Sequence, residues 1–84
     1  MTTTTTTRTM LRVTEQAVPQ LTPREREVLD LLCRGIVRNR AIATRLVISE
    51  MTVHYHVNNL MQKLEATNRT ELVVRAYGMG LVNG

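Results

Sequence analysis

Residues 48–64 read Ile-Ser-Glu-Met-Thr-Val-His-Tyr-His-Val-Asn-Asn-Leu-Met-Gln-Lys-Leu, and their pattern predicts one amphipathic helix over residues 50–64. Ser49 is a suitable N-cap because its hydroxyl can accept a hydrogen bond from an amide of the first turn. Apolar residues recur at helical spacing and form one narrow stripe: Val53, Val57, Leu60 and Leu64, with Met61 on its flank. This helix must bury its stripe against other elements of the chain.

The outer face of the same helix carries few charges. A helical wheel places amides, an imidazole, a hydroxyl and a phenol there, from Thr52, His54, Tyr55, Asn58, Asn59 and Gln62, together with Met51. Such groups donate and accept hydrogen bonds in patterns that suit the edges of nucleic acid bases. The alternative interpretation is an ordinary surface helix with unusually few charges.

The composition is that of one small domain. The chain has 84 residues, 43% of them hydrophobic, and its only two aromatic residues are tyrosines, so its core must be aliphatic. We find neither an apolar run of about 18 residues, which a membrane span requires, nor a secretory signal, and we expect a cytoplasmic protein without a membrane partner. Cys33 is the only cysteine, which excludes an internal disulfide and a cysteine-based zinc site.

The charge distribution is typical of a protein with a nucleic-acid partner. The formal net charge is +4, and the segment between Cys33 and Ser49 contains four basic residues and no acidic one. These are Arg34, Arg38, Arg40 and Arg45. A local basic block is a common electrostatic feature of nucleic-acid binders, although a merely solvated surface is the alternative.

Three further helices are predicted around the central one. Residues 1–19 form a Thr-rich arm that we expect to be disordered, and residues 20–82 form the folded domain. Thr22 and Glu25 make a capping box for a first helix that ends near Arg34, with Gly35 after it. A second helix spans about 40–46 and leads through Val47, whose backbone we expect to avoid positive φ, into the central helix. Two helices joined by such a short turn form a helix-turn-helix, and the fold class is all-α.

A fourth helix follows Asn68, which caps it together with Glu71 as a second capping box. It has more apolar surface than one core-facing stripe needs, and its core-like positions are Leu72, Val73, Ala76 and Tyr77. We therefore predict a dimer contact through these four residues. Burial against the N-terminal arm is the competing explanation.

Several segments together resemble a LuxR-type (GerE-like) DNA-binding domain that stands alone. They are Leu21-Thr22-Pro23-Arg24-Glu25-Arg26-Glu27-Val28-Leu29, Gly35, Ile42-Ala43, Ile48-Ser49-Glu50-x-Thr52-Val53-x-x-His56-Val57, Lys63-Leu64 and Asn68-Arg69-Thr70-Glu71-Leu72. The resemblance covers about residues 20–82. It implies a four-helix module whose third helix enters the major groove and whose fourth helix forms a two-fold contact.

The resemblance also implies roles for individual residues. The positions that face bases are His54, Tyr55 and Asn58. The positions near phosphates are Arg38, Arg40, Thr52 and Lys63. In chemical terms, the amide of an asparagine can pair with adenine N6 and N7, and a histidine can donate to the acceptors of guanine.

This sequence departs from the family pattern at three points. The spacing from Gly35 to Ile42 is one residue longer than the commonest one, and the usual Asn-Lys-Glu order is missing from residues 38–41. The base-facing positions often hold lysine, whereas here they hold His54 and Asn58. The operator sequence therefore cannot be taken over from relatives.

We predict a sequence-specific double-stranded DNA-binding transcription regulator that acts as a homodimer, with RNA polymerase as a candidate further partner. A promoter-reading region of a sigma factor is the runner-up, since residues 21–29 are similar to that region. An interaction module that pairs with and antagonises a full-length regulator or sigma factor is the alternative from another class. No catalytic set is apparent, and His54 and His56 diverge by about 200° on a helix, so we expect no enzyme, no metal site and no cofactor.

Overall fold

A computed structural model of the chain describes residues 19–82. Four helices make up this part: α1 (Pro23–Cys33), α2 (Asn39–Leu46), α3 (Glu50–Leu64) and α4 (Arg69–Gly78). The described residues contain no strand, so the prediction of an all-α fold with four helices is confirmed. Residues 1–18 of the predicted arm lie outside the described residues.

The helix starts follow from capping side chains. The Thr22 hydroxyl accepts from the Glu25 amide at 3.1 Å, and a Glu25 carboxylate oxygen accepts from the Thr22 amide at 3.0 Å, which completes the predicted capping box of α1. At α4 the Asn68 side chain accepts from the Glu71 amide at 2.8 Å. Glu71 itself accepts from the amide of Thr67, at 2.7 Å, rather than from that of Asn68, so the second capping box predicted here is only half formed.

The core is built around one face of α3. Its predicted stripe is buried completely or nearly so, with Val53, Leu60 and Leu64 at 0% exposure and Val57 at 1%. α3 packs against each of the other three helices. Those helices supply the remaining buried apolar residues, which are Val28, Leu29, Leu32, Ile42, Ala43, Leu72 and Ala76. Leu46, at the end of α2, is only half-buried.

The turn between α2 and α3 contradicts the expectation for Val47. This residue adopts a left-handed conformation, with φ 57° and ψ 50°, although valine is branched at Cβ. The amide of the next residue, Ile48, donates to the carbonyl of Ala43 at 3.0 Å, and the Ile48 side chain packs against the core. This bond and this apolar contact form a Schellman motif, which requires a left-handed residue at position 47 whatever its side chain.

Replacement of Val47 by glycine is expected to stabilise the protein. A non-glycine residue in the left-handed region costs about 1–3 kcal/mol, whereas the added freedom of glycine in the unfolded chain costs about 0.4–1 kcal/mol. The Val47 side chain is 89% exposed, so that little packing is lost. We expect Val47→Gly to raise the free energy of unfolding by about 1 kcal/mol, as measured by urea denaturation.

Glu65 provides a matched control, because it is also left-handed at φ 56° but has an unbranched side chain. Glu65→Gly should therefore give a smaller gain. A decrease in stability for Val47→Gly would show that the valine is not strained in this turn.

Candidate nucleic-acid interface

The predicted base-facing residues lie on one exposed face of α3. His54, Tyr55 and Asn58 are all exposed, and the Tyr55 residue retains 62% of its accessible surface. Met51 lies one turn before Tyr55 and is 80% exposed. The helical wheel had placed Met51 on this face, but it was not assigned as a candidate, although its spacing of four residues from Tyr55 was a sufficient signal.

The predicted base-facing residues contact other side chains of α3. Asn58 Nδ2 lies 3.1 Å from His54 Nε2, a contact between side chains one helical turn apart. The Tyr55 ring packs edge-on against the ring of His56, with 5.5 Å between centroids and an interplanar angle of 62°. These contacts order the polar face before any ligand is bound.

The N-terminus of α3 carries two hydroxyl groups. Ser49 Oγ accepts from the Thr52 amide at 3.0 Å and lies 2.8 Å from Thr52 Oγ1. One hydrogen suffices for the contact between the two hydroxyls, so the other hydroxyl hydrogen can be donated to an outside acceptor. A helix N-terminus with free donors suits a phosphate group. Arg40 lines the same groove as Ser49 and Glu50, which brings a cation to this end of α3.

The arginines of the basic block differ in their partners. Arg38, Arg40 and Arg45 are exposed, and no ion pair involves any of them within residues 19–82. Three other arginines lie next to carboxylates, in the pairs Arg24–Glu27, Arg34–Asp30 and Arg75–Glu71. Arg26 of α1 and Arg69 of α4 donate to backbone carbonyls instead. The segment from the N-cap of α2 to the end of α2 therefore carries three arginines without a carboxylate partner, beside the start of α3.

Lys63 has an internal partner. Its ammonium donates to Glu25 Oε1 at 2.6 Å and to the carbonyl of Gln20 at 3.0 Å. Glu25 is only 3% exposed and requires a counter-charge, because an isolated buried carboxylate would be costly. The ion pair fastens the last turn of α3 to the first turn of α1. These two bonds use two of the three hydrogens of the ammonium, and the phosphate contact predicted for Lys63 stays a prediction.

The ion pair changes the ionisation of Glu25. Burial of the carboxyl raises its pKa, but hydrogen bonds from Lys63 and the Thr22 amide outweigh this effect, and the charge of Lys63 adds to them. The pKa of Glu25 is lowered as a result. The folded state therefore favours the charged carboxylate.

The predicted dimer contact on α4 needs correction. Leu72 and Ala76 are fully buried in the core of the protomer, where no second chain can reach them. Val73 is half-buried, Tyr77 is 42% exposed, and the Tyr77 hydroxyl donates to the carbonyl of Cys33 at 3.3 Å. Val74, which was not assigned, is 64% exposed. The outward apolar face of α4 therefore consists of Val73, Val74 and Tyr77.

Arg69 has a structural role that the sequence analysis missed. Its guanidinium donates to the carbonyl of Val37 and to the side-chain oxygen of Asn39. These bonds tie the start of α4 to the start of α2. Its place directly after the Asn68 cap was visible in the sequence, but nothing in the local pattern indicated partners about thirty residues away.

The described residues carry no group of three potential metal-ligating side chains. Nor does any helix among them have the length and apolar character to cross a membrane. His56 is half-buried at the edge of α3, and its Nδ1 atom has no hydrogen-bond partner within the described part of the chain.

Comparisons with known proteins agree with this geometry. The profile of the family described as "Bacterial regulatory proteins, luxR family" matches residues 19–76. The chain belongs to the LuxR family. It carries the helix-turn-helix DNA-binding domain of a transcription regulator, as the sequence resemblance implied.

Individual members of the LuxR family are similar over most of the domain. The spore germination protein GerE of Bacillus subtilis is 46% identical over 65 residues, which are 77% of this chain and 86% of GerE. The nitrate/nitrite response regulator NarL of Escherichia coli is 46% identical over 61 residues, and the match spans only 28% of NarL. A solved structure of the transcription factor GerE has a TM-score of 0.68 and 36% identity, covering 75% of this chain and 92% of that chain.

The pair of Glu25 and Lys63 should make stability depend on acid pH. A carboxyl whose pKa is lowered on folding stabilises the protein above its unfolded pKa, and this contribution is lost as the pH falls through the folded pKa. We expect Glu25→Gln to reduce the free energy of unfolding by about 1–3 kcal/mol at pH 7. Below about pH 5, the free energy of unfolding of this variant should fall less steeply with pH than that of the unmodified protein. Glutamine retains the capping box, so the change isolates the ion pair.

Urea denaturation between neutral pH and about pH 3 would measure both effects. Glu27→Gln, an exposed change on the same helix, is the control and should leave the acid dependence close to that of the unmodified protein. An acid dependence for Glu25→Gln equal to that of the unmodified protein would contradict the assigned role of the pair.

Proposed function

We propose that this protein recognises specific double-stranded DNA sequences by inserting α3 into the major groove, and that it regulates transcription in the cytoplasm, on the nucleoid. One observation carries the proposal: the buried stripe of α3 turns a polar, nearly uncharged face outward, beside the uncompensated arginines of α2. A major groove is wide enough to admit a helix, and each base pair presents a distinct pattern of donors and acceptors there.

Affinity and sequence preference come from different residues. Arg38 and Arg40, with the hydroxyl of Thr52 at the start of α3, bind phosphates and displace counterions, which gives salt-dependent affinity with little sequence information. Asn58 and His54 read base edges through hydrogen bonds. The Tyr55 ring is suited to pack on a thymine methyl group.

A homodimer is the working form in this proposal. Of the outward apolar face of α4, Val73 and Val74 line a groove of about 880 Å³ together with Cys33 and Val37. A second copy of the same face would cover these side chains in a two-fold contact and place two α3 helices on an inverted repeat. RNA polymerase remains a candidate further partner of the bound dimer.

The same groove also favours the alternative function, an interaction module that pairs with a full-length regulator or sigma factor and blocks it. Such a module would need the apolar face of α4 but not the polar face of α3. Binding measurements on variants of the two faces therefore separate the two functions.

Asn58→Ala and Arg40→Ala should affect DNA binding in different ways. The sites would be duplexes enriched from a random pool by the full chain, and binding would be measured by fluorescence anisotropy over a range of salt concentrations. Asn58→Ala should relax the preference at one base pair by about 1–3 kcal/mol. Arg40→Ala should weaken binding to duplexes of every sequence and reduce the slope of log affinity against log salt concentration by about 1.

Arg24→Ala is the control for charge, because that arginine is paired with Glu27 on α1. It should leave the salt slope unchanged. Equal losses on selected and random duplexes for both Asn58→Ala and Arg40→Ala would contradict the division between base and phosphate contacts. A failure to enrich any sequence would favour the interaction module.

Val74→Glu should prevent dimerisation without unfolding the protomer, because the side chain is 64% exposed and a charge there would be buried in the dimer. Sedimentation equilibrium with and without a duplex that carries an inverted repeat would measure the effect. Gln20→Glu, which adds the same charge at an exposed position before α1, is the matched control. A Val74→Glu variant that still dimerises would exclude this face as the contact.

A further inference from the structure

The outward face of α3 contains an apolar side chain that hydrogen bonding to bases does not explain. Met51 is 80% exposed, and it lies about 180° round the helix from the buried Leu60, at about 100° per residue. Its direction falls between those of Tyr55 and Asn58, at the centre of the face proposed to enter the major groove. We propose that Met51 is a specificity-determining residue that packs on the C5-methyl group of a thymine. This inference rests on the proposed function.

The chemistry of the major groove leaves one good partner for a methionine. The base edges present hydrogen-bond donors and acceptors there, and thymine adds the only methyl group. A thioether has no hydrogen to donate and is a weak acceptor, so the favourable contact of Met51 is with that methyl group. The side chain is unbranched and polarizable, and it adapts its shape to an irregular apolar surface.

Met51 also disfavours other bases at the same position. A purine in place of the thymine presents its N7 acceptor, and Met51 removes water from N7 without replacing the lost hydrogen bond. A cytosine has no methyl group, so that less apolar surface is buried against the methionine. The discrimination is therefore stronger against purines than against cytosine.

The surroundings of Met51 favour DNA over an apolar protein surface as the partner. His54 and Asn58 are exposed polar neighbours on α3, and the arginines without a carboxylate partner lie beside the start of this helix. An apolar protein surface would remove water from these polar and charged groups without pairing them, which is costly. DNA supplies phosphates for the arginines and base edges for the polar side chains.

Met51 and Asn58 face different base pairs in this arrangement. They are seven residues apart, which is about 10 Å along the helix axis, whereas successive base pairs are about 3.4 Å apart. Side chains at such a distance that share no partner act independently. The losses caused by Met51→Ala and Asn58→Ala should therefore multiply as factors in the dissociation constant of the double variant.

The test removes the methyl group and leaves the hydrogen-bonding groups of the base in place. The full chain first enriches a duplex from a random pool, and each thymine of that duplex is then replaced in turn by deoxyuridine, which lacks the C5-methyl group. Fluorescence anisotropy measures the binding of the unmodified protein, Met51→Ala, Met51→Leu and Tyr55→Ala. Gln20→Ala, at an exposed position before α1, is the control, and circular dichroism verifies that the helices are retained.

One of the replacements should weaken binding of the unmodified protein by about 4-fold, the contribution of one buried methyl group. Met51→Ala should bind the thymine duplex and that deoxyuridine duplex equally, because the side chain that contacts the methyl group is missing. Met51→Leu should retain most of the difference, since leucine has a similar apolar volume. Gln20→Ala should retain all of it.

Three results would overturn the inference. If no replacement by deoxyuridine weakens binding of the unmodified protein, no methyl group is read, while the proposed function stands. If the sensitivity persists in Met51→Ala and disappears in Tyr55→Ala, the methyl group is read by Tyr55 and not by Met51. If the unmodified protein enriches no sequence at all, the proposed function fails and this inference fails with it.

Discussion

Burial of one face of α3 is the constraint on which the rest of the structure depends. Its four stripe residues are at most 1% exposed, and each such aliphatic side chain contributes about 1.5–3 kcal/mol when it leaves water. α1, α2 and α4 all pack against α3. Once the stripe is buried, the rotation of the helix about its own axis is fixed, and the polar face must point toward solvent. The candidate interface is therefore a consequence of the core.

Polar contacts then fix the positions of the helix ends. The pair of Glu25 and Lys63 joins the start of α1 to the end of α3, and Arg69 joins the start of α4 to the segment before α2. Apolar packing has little directional preference and would tolerate sliding of one helix along another. Hydrogen bonds with defined partners remove that freedom. An interface that distinguishes base edges needs such rigidity, because a small displacement would bring different groups into register.

The sequence predicted those features that depend on neighbours within a few residues. Helical periodicity and capping side chains were sufficient for the four helices, for the buried stripe and for the exposure of His54 and Asn58. The sequence did not predict features that depend on contacts between residues far apart along the chain. The partners of Lys63 and Arg69 lie 30 or more residues away, and which apolar residues of α4 remain outside the core depends on how α4 docks. At Val47, steric preference gave the wrong conformation because the burial of Ile48 and the Schellman bond outweigh it.

Residues of the core and residues of the interface alternate along α3 without sharing positions. Exposed substitutions usually change stability by no more than about 0.5 kcal/mol, so the outward face can vary while the buried stripe keeps the helix in place. Two copies of such a gene could diverge toward separate regulatory targets through a few point changes, with no repacking and no loss of folding. The same arrangement makes this domain a practical scaffold for retargeting, since the positions to randomise are already separated from those that must be kept.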